Sequence, residues 1–421
     1  MKRRVAVTGL GIISPCGNHV DDFSLNLMAG KSGVRRISSA CSSLLSVKIA
    51  AEVDFNPLDY FTNKQVSGLD RVNQFALAAA SQAWNDSGLS LGAKERERAG
   101  VYVGSAMGGG NTIEALYDQL FRHNADRVEP LTVPMIMNSA SASHISVRYG
   151  LSGACLTMST ACASSANAVG EAFRQVRDGY LDVILAGGAE AFLTYGGFRS
   201  WEALRVLAVE DPEDPSRSCK PFSKNRSGLV LGEGAGMVVL EEMERAVGRG
   251  APIYAELMGY GSTSDAGHIT RPSLEGQARA MAEALKDAGV LPDEIDYINA
   301  HGTATPWNDL LETQAVKKVF GDCACNVPIS STKSMHGHTM GAAGAMEFIA
   351  SLLAIKNNAV PPTINLDQPD PECDLDYVPN VGRKGVTVNT VMSNAFAFGG
   401  TNAVLIAGKR SCADGRSRRS R

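Results

Sequence analysis

The chain has 421 residues, 44% of them hydrophobic and 20% charged, with a formal net charge of -4. That composition fits a globular protein long enough for two domains or one large duplicated one, and argues against nucleic acid as the main partner. No apolar run of about 18 residues, the length a membrane span needs, occurs in the sequence, so no membrane partner is expected.

The basic start Met1-Lys2-Arg3-Arg4 precedes an apolar run that Thr8, Gly9 and Gly11 interrupt. It reads as a first β-strand, Val5-Thr8, ending in a glycine turn, rather than as a leader. Further strands are expected at Val101-Gly104, Val183-Ala186, Ile295-Ala300 and Val388-Ser393. With helices between them, they imply an α/β architecture with largely buried strands. Two segments about 200 residues apart are alike: Ala83-Trp84-Asn85-Asp86-Ser87-Gly88 and Ala284-Leu285-Lys286-Asp287-Ala288-Gly289. Each places glycine where a helix stops in a left-handed residue.

A weaker likeness sets Cys162, six residues before Ala168-Val169-Gly170-Glu171, against His338, six before Gly344-Ala345-Met346-Glu347. Two copies of one unit would bring both to equivalent helix starts beside a pseudo-twofold axis. The last residues, from Lys409 to Arg421, are basic and without apolar periodicity, and a disordered solvated tail is expected there.

Cys162 lies in Ser159-Thr160-Ala161-Cys162-Ala163-Ser164-Ser165, a run of small residues placed to begin a helix. A helix N-terminus favours thiolate, the nucleophilic form of cysteine, and small neighbours leave the sulfur open to a bulky donor. The ordinary fate of a free cysteine is a buried structural position, so Cys162 needs partners. The other eight cysteines form no regular framework, and reduced thiols in a cytoplasmic protein are expected. Cys323-Ala324-Cys325 is too tightly spaced for a zinc site and has no second pair.

His301 follows an apolar strand directly and opens His301-Gly302-Thr303-Ala304-Thr305-Pro306, whose hydroxyls suit a polar ligand arm. His338 sits in Lys333-Ser334-Met335-His336-Gly337-His338. Two imidazoles and an ammonium around a thiol suit acyl chemistry, since they favour thiolate and stabilise an oxyanion. No metal is expected, because zinc would poison the thiolate. Asn394-Ala395-Phe396-Ala397-Phe398-Gly399-Gly400-Thr401-Asn402 is a glycine loop after a strand, able to offer backbone N–H donors and to swing as a gate.

Together, Thr160-Ala161-Cys162-Ala163-Ser164-Ser165, His301-Gly302-Thr303, Lys333-Ser334-Met335, Gly337-His338 and Phe398-Gly399-Gly400-Thr401-Asn402 resemble the elongating β-ketoacyl-(acyl-carrier-protein) synthases, of the synthase II type. The resemblance spans roughly residues 3 to 408. It implies a thiolase-like layered αβαβα fold made of two pseudo-duplicated halves, 1–250 with the nucleophilic cysteine and 251–408 with both histidines and the lysine, ahead of the tail 409–421. It also implies decarboxylative condensation of an acyl group on Cys162 with malonyl carried by acyl carrier protein, without a cofactor. His301 and His338 would stabilise the enolate, and Lys333, with Glu347 as its partner, would organise the charge. The N–H groups of Cys162 and Phe398 would hold the thioester oxyanion, with the Phe398 ring as gate. Thr303, Thr305 and Thr270 would bind the pantetheine arm, Met107 would line the acyl pocket, and Lys64 and Arg205 would contact the carrier. Trp307 would narrow the entrance and His336 would add a third imidazole near the site. A homodimer is the usual assembly, with a heterodimer as the other form.

The same residues serve fatty-acid elongation and specialised polyketide, polyene or nodulation-type elongation. A non-catalytic chain-length subunit would lack the nucleophile. A nicotinamide-dependent dehydrogenase is the remote reading: Gly9-Leu10-Gly11 follows a strand and Tyr60…Lys64 has the Tyr-x-x-x-Lys spacing, but Ser14 stands where a third glycine belongs.

Overall fold

The structure, a computed structural model, describes residues 2–38 and 43–409. The expected basic tail, apart from Lys409, lies outside the described residues. Ten strands form one continuous sheet: β1 (Val5–Ile13), β2 (Ala99–Gly104), β3 (Cys155–Met158), β4 (Val183–Glu190), β5 (Gly234–Glu242), β6 (Ala255–Ser264), β7 (Tyr297–Asn299), β8 (Ile329–Ser330), β9 (Thr390–Phe396) and β10 (Thr401–Gly408).

Outward from the junction between β1 and β6, one side runs β1-β5-β4-β2-β3 and the other β6-β10-β9-β7-β8. On each side the first two pairings are antiparallel and the last two parallel. The two copies therefore share order and direction strand for strand, and their strands join where Val5–Val7 face Ala255–Leu257.

Six helices supply the layers: α1 (Arg71–Ser87), α2 (Ala140–Tyr149), α3 (Ser164–Arg177), α4 (Leu274–Ala288), α5 (Pro306–Phe320) and α6 (Ala343–Asn357). The pair α1 and α2 covers the outer face of the first half, and α4 and α5 cover that of the second. Between the halves, α3 and α6 pack on each other and on both sides of the sheet, completing an αβαβα stack. The order of layers explains the sequence of α6, which is buried from Ala343 to Ile355 and apolar there but for Glu347 and Ser351, as a helix with no solvent face tends to be. One apolar core joins α3 and α6 through Phe173, Met346 and Ile349, with a separate core under each outer helix pair.

The likeness between the two helix ends holds: Gly88 and Gly289 end α1 and α4 at φ 62° and 65°. The expected glycine turn after Val5-Thr8 does not form, because β1 runs on through both glycines to Ile13. A Cβ on Gly9 or Gly11 would lie 2.1 and 1.9 Å from the carbonyl oxygens of Ala83 and Ala79 on α1. In the second half, a Cβ on Gly259 or Gly261 would meet the Ala284 and Ala280 carbonyls of α4 at 2.6 and 2.1 Å. These Gly-x-Gly pairs are helix-docking surfaces in mid-strand, which removes the apparent dinucleotide fingerprint.

Replacing Gly261 by alanine should cost about 1–3 kcal/mol, as overpacking against backbone does. Gly248→Ala, where a Cβ meets nothing within 4 Å, should cost far less. Equal unfolding midpoints for the two variants in a denaturant titration would rule out the docking role.

Candidate active site

Cys162 sits on a turn between β3 and α3, inside the short 3-10 segment Ala161–Ala163. Ala161 is held at φ 49°, a left-handed conformation costing a non-glycine residue about 1–3 kcal/mol. The small neighbours supply the clamps that keep it there. Thr160 N–H donates to Ser164 Oγ at 2.9 Å, Ser164 Oγ donates to the Ala161 carbonyl at 2.6 Å, and Asn167 donates to Thr160 Oγ1 at 2.8 Å.

The second half repeats this turn at Met340–Ala342, with Met340 at φ 45°, before α6. The two helix starts do meet: Ala345 N–H donates to Ser165 Oγ at 2.9 Å, and a Cβ on Gly344 would fall 2.7 Å from that of Ala166. The register differs from expectation by three residues. Turn against turn, Cys162 corresponds to Gly341 and His338 to Ser159, so His338 reaches the sulfur from just ahead of its own turn.

His338 Nε2 lies 3.1 Å from Cys162 Sγ. Its Nδ1 accepts the Met340 N–H at 3.1 Å, which assigns the ring proton to Nε2. His301 stands at the end of β7, its ring 5.4 Å from that of His338 and nearly perpendicular to it. Lys333 Nζ is 3.3 Å from His301 Nδ1. An ammonium has only protons to offer, so Nδ1 is the acceptor and Nε2–H is left for the cavity that His301 lines. Lys333 is itself buried and paired with Glu347 of α6.

Burial, then the Lys333 charge, hold both imidazoles well below the ordinary histidine range. Both are therefore neutral near pH 7. Burial pushes the Cys162 thiol up to about 11, against the pull of Lys333 and of the Phe398 and Cys162 backbone N–H groups. The expected helix-start thiolate is thus overridden: loss of solvent outweighs the nearby favourable charge and dipoles.

The cavity above the sulfur has a volume of about 270 Å³. Thr270, Thr303 and Thr305 line one wall, with the Thr303 and Thr305 hydroxyls 2.9 Å apart. Phe398 lines it too, on a turn whose glycines Gly399 and Gly400 have φ 83° and 75°. Trp307 is 71% exposed at the rim.

Met107, expected in the acyl pocket, is absent from this lining, and Lys64 and Arg205, expected at the carrier, lie outside it. Met107 is 44% exposed, its N–H bonded to Glu190; Lys64 is exposed on the short helix Asn63–Val66; and Arg205 is exposed between the lining residues Leu204 and Val206. His336 does not reach the cavity. It is buried beside Phe23, bonds the Gly337 carbonyl and the Thr332 hydroxyl, and is pushed down to about 3 by burial. The donor atoms of Cys162, His301 and His338 lie within 4.8 Å of one another, close enough to converge on one ion, but the Lys333 ammonium beside them carries the wrong charge for a cation's neighbour.

The sequence did not point to the apolar residues Trp201, Val206 and Leu229, which also line the cavity. Nor did it reveal Glu312, buried on α5, which accepts the N–H groups of His301 and Gly302 at 2.8 Å each and so fixes the histidine turn. Two carboxylates three apart, Asp309 and Glu312, on one buried helix face were its available signal.

Residues 2–246 match the family model described as β-ketoacyl synthase, N-terminal domain, and residues 254–367 match the corresponding C-terminal domain. The chain belongs to the β-ketoacyl synthase family. The synthase is 45% identical over 408 residues to 3-oxoacyl-[acyl-carrier-protein] synthase 2 of Coxiella burnetii, covering 96% of this chain and 98% of that one. Among solved structures, it superposes on the ishigamide ketosynthase/chain length factor with a TM-score of 0.90 and 37% identity, covering 98% of this chain and all of that one. A type II polyketide ketosynthase, bound to its acyl-carrier protein and a hexaketide, gives 0.89 and 35%, with the same coverage. No helix among the described residues is long and apolar enough to cross a membrane.

If burial governs the thiol, peptide-resolved alkylation of Cys162 should accelerate about tenfold per pH unit from pH 7 to 10, as a thiolate fraction below its pKa does. A plateau beginning near pH 7 would show that the helix start wins instead.

Proposed function

We propose that this synthase condenses an acyl group held on Cys162 with malonyl on acyl carrier protein, giving 3-oxoacyl carrier protein, carbon dioxide and free carrier. The observation that carries the assignment of roles is the pair of neutral imidazoles, each with Nδ1 occupied, so that His338 Nε2–H points at the Cys162 sulfur and His301 Nε2–H is left for the cavity beside it.

In the first half-reaction the Cys162 sulfur attacks the thioester carbonyl carbon. The tetrahedral oxyanion sits against the N–H groups of Cys162 and Phe398, and the carrier sulfur leaves with the proton that the thiol gives up. In the second, malonyl loses carbon dioxide and the electron pair of the broken C–C bond becomes an enolate. His301 and His338 donate Nε2–H to the enolate oxygen, which is why a neutral donor serves where a base is not needed. The enolate carbon then attacks the acyl carbonyl, the C–S bond breaks with its electron pair staying on sulfur, and the Cys162 thiolate takes one proton from water to become the thiol again. Lys333 fixes the tautomer of His301 and keeps both rings uncharged. Thr270, Thr303 and Thr305 bind the pantetheine arm.

The working unit is the pair of halves 1–250 and 251–408, with Arg205 and Lys64 toward the carrier. A second copy, or a related subunit, pairs along the open edge strand β3, where Leu156 is 48% exposed beside an exposed Cys155. Met107, solvent-facing in the single chain, would then bound the acyl chain from the dimer side. The site of action is the cytoplasm. Elongation on the fatty-acid carrier follows the C. burnetii relative. Polyketide or polyene elongation is the second reading, favoured by the likeness to the two ketosynthase structures.

Intact-mass measurement after incubation with acyl carrier proteins of graded chain length should show a single acyl adduct on Cys162, lost in Cys162→Ala. An adduct that persists in that variant would end the assignment. His338→Ala should slow malonyl decarboxylation by about 10²–10³, the usual effect of losing one oxyanion donor, while the acyl adduct still forms.

A further inference from the structure

The turn that carries Cys162 is braced from the other half of the molecule. Asn167, buried in the first turn of α3, donates through Nδ2 to Thr160 Oγ1 at 2.8 Å. Its Oδ1 accepts the Tyr260 hydroxyl at 2.6 Å, with the Ser262 hydroxyl further off at 3.4 Å. Tyr260 lies on β6 and is buried. Its N–H donates to Asp287 at 3.2 Å, and the Arg174 guanidinium lies 4.6 Å from its ring centroid. The ring fills the space beside Gly170, where a Cβ would lie 2.3 Å from it. Hydrogen bonds thus lead from the second half's sheet to the residue two before Cys162.

The second half shows the same turn without this brace. Matched by the turns, Thr160 corresponds to Thr339 and Asn167 to Met346; matched by the Gly-x-Gly pairs, Tyr260 corresponds to Leu10. Thr339 Oγ1 again reaches the residue seven further on, but meets only the Met346 sulfur, at 3.3 Å. Met346 and Leu10 both belong to the central apolar core. An apolar pair therefore suffices to build the backbone turn, with Met340 at φ 45°. The half that carries the nucleophile has a polar chain at the same positions, although every buried polar group costs free energy unless it is bonded.

We propose that Tyr260 is a positioning residue for Cys162: through Asn167 it holds Thr160, and so fixes the direction of the Cys162 N–H that faces the thioester oxyanion. The proposal rests on the condensation reading above. An amide side chain has an accepting end and a donating end, and the Tyr260 proton on Oδ1 leaves Nδ2 facing Thr160. Without that proton the amide loses its bias, the Thr160 contact is made only part of the time, and the turn is no longer held in one place. Acyl transfer feels this, because its oxyanion needs the N–H within about 3 Å. Alkylation by iodoacetamide takes place at a saturated carbon, develops no oxyanion and needs the sulfur alone.

The test uses the full chain with octanoyl acyl carrier protein, and follows acylation of Cys162 by intact mass beside its alkylation by iodoacetamide. Tyr260→Phe should slow acylation at saturating carrier about three- to tenfold, the factor to which one hydrogen bond corresponds, with the half-saturating carrier concentration unchanged. Alkylation should keep its wild-type rate. The double variant Tyr260→Phe/Asn167→Leu removes both polar groups and leaves neither partner orphaned, so its unfolding midpoint should return toward wild type while acylation stays slow. An unchanged acylation rate in Tyr260→Phe, a loss shared equally by acylation and alkylation, or a double variant that regains rate together with stability would overturn the proposal. Should Tyr260→Phe not fold, the double variant carries the same comparison with wild type. A wild type that forms no acyl-enzyme would instead reject the condensation reading, and this role for Tyr260 with it.

Discussion

One buried charge governs the chemistry of this site. Lys333 has no solvent to stabilise its ammonium and takes Glu347 as its counter-ion. Breaking a buried pair by removing one partner destabilises a protein by about 3–5 kcal/mol, so the pair is unlike the exposed ion pairs over the rest of the surface. Its location decides three things together. The ammonium occupies His301 Nδ1 and so selects the tautomer. With burial, it keeps both imidazoles neutral, and it opposes the rise in the Cys162 thiol. Because Glu347 belongs to α6 and Lys333 to the segment after β8, the pair also ties the site to the central helix layer.

Much of this arrangement was legible because it lies in short contiguous segments. The Cys162 turn needs small residues in sequence order, and His301 must follow a strand end directly, so both leave local marks. The glycine loop at 398–400 does the same. What was not legible depends on packing. The strands Ala255–Ser264 and Gly234–Glu242 carry glycines that mask strand character, and Gly259 and Gly261 are explained only by the helix laid across them. Tyr260, on the first of these strands, becomes interpretable only when the fold sets its hydroxyl against Asn167. His336 shows the converse: adjacent in sequence to the site, it is turned into the core by its bonds to Gly337 and Thr332. The helix-start argument for thiolate was sound as a local effect and was outweighed by burial, which no local segment reveals.

The three-residue offset between the expected and observed correspondence of the halves has a physical meaning. Alignment of Ala168-Val169-Gly170-Glu171 with Gly344-Ala345-Met346-Glu347 runs three residues, close to one helical turn, out of step with the strained turns that precede α3 and α6. Matched by those turns, the halves are alike in backbone and opposite in side chain. At the position of Cys162 the second half has Gly341, whose N–H donates to Glu190 at 3.1 Å. A Cβ there would lie 2.5 Å from Ala106 N and 2.6 Å from the Glu190 carboxylate. The Gly341 position of the second turn therefore has no room for a side chain. Glu190 also accepts the N–H groups of Ala106 and Met107, so the loop after β2 and the second turn are held on one carboxylate. Duplication supplied two elbows side by side. Filling one with this buried network left a single sulfur at the paired turns, with His338 of the second half set against it.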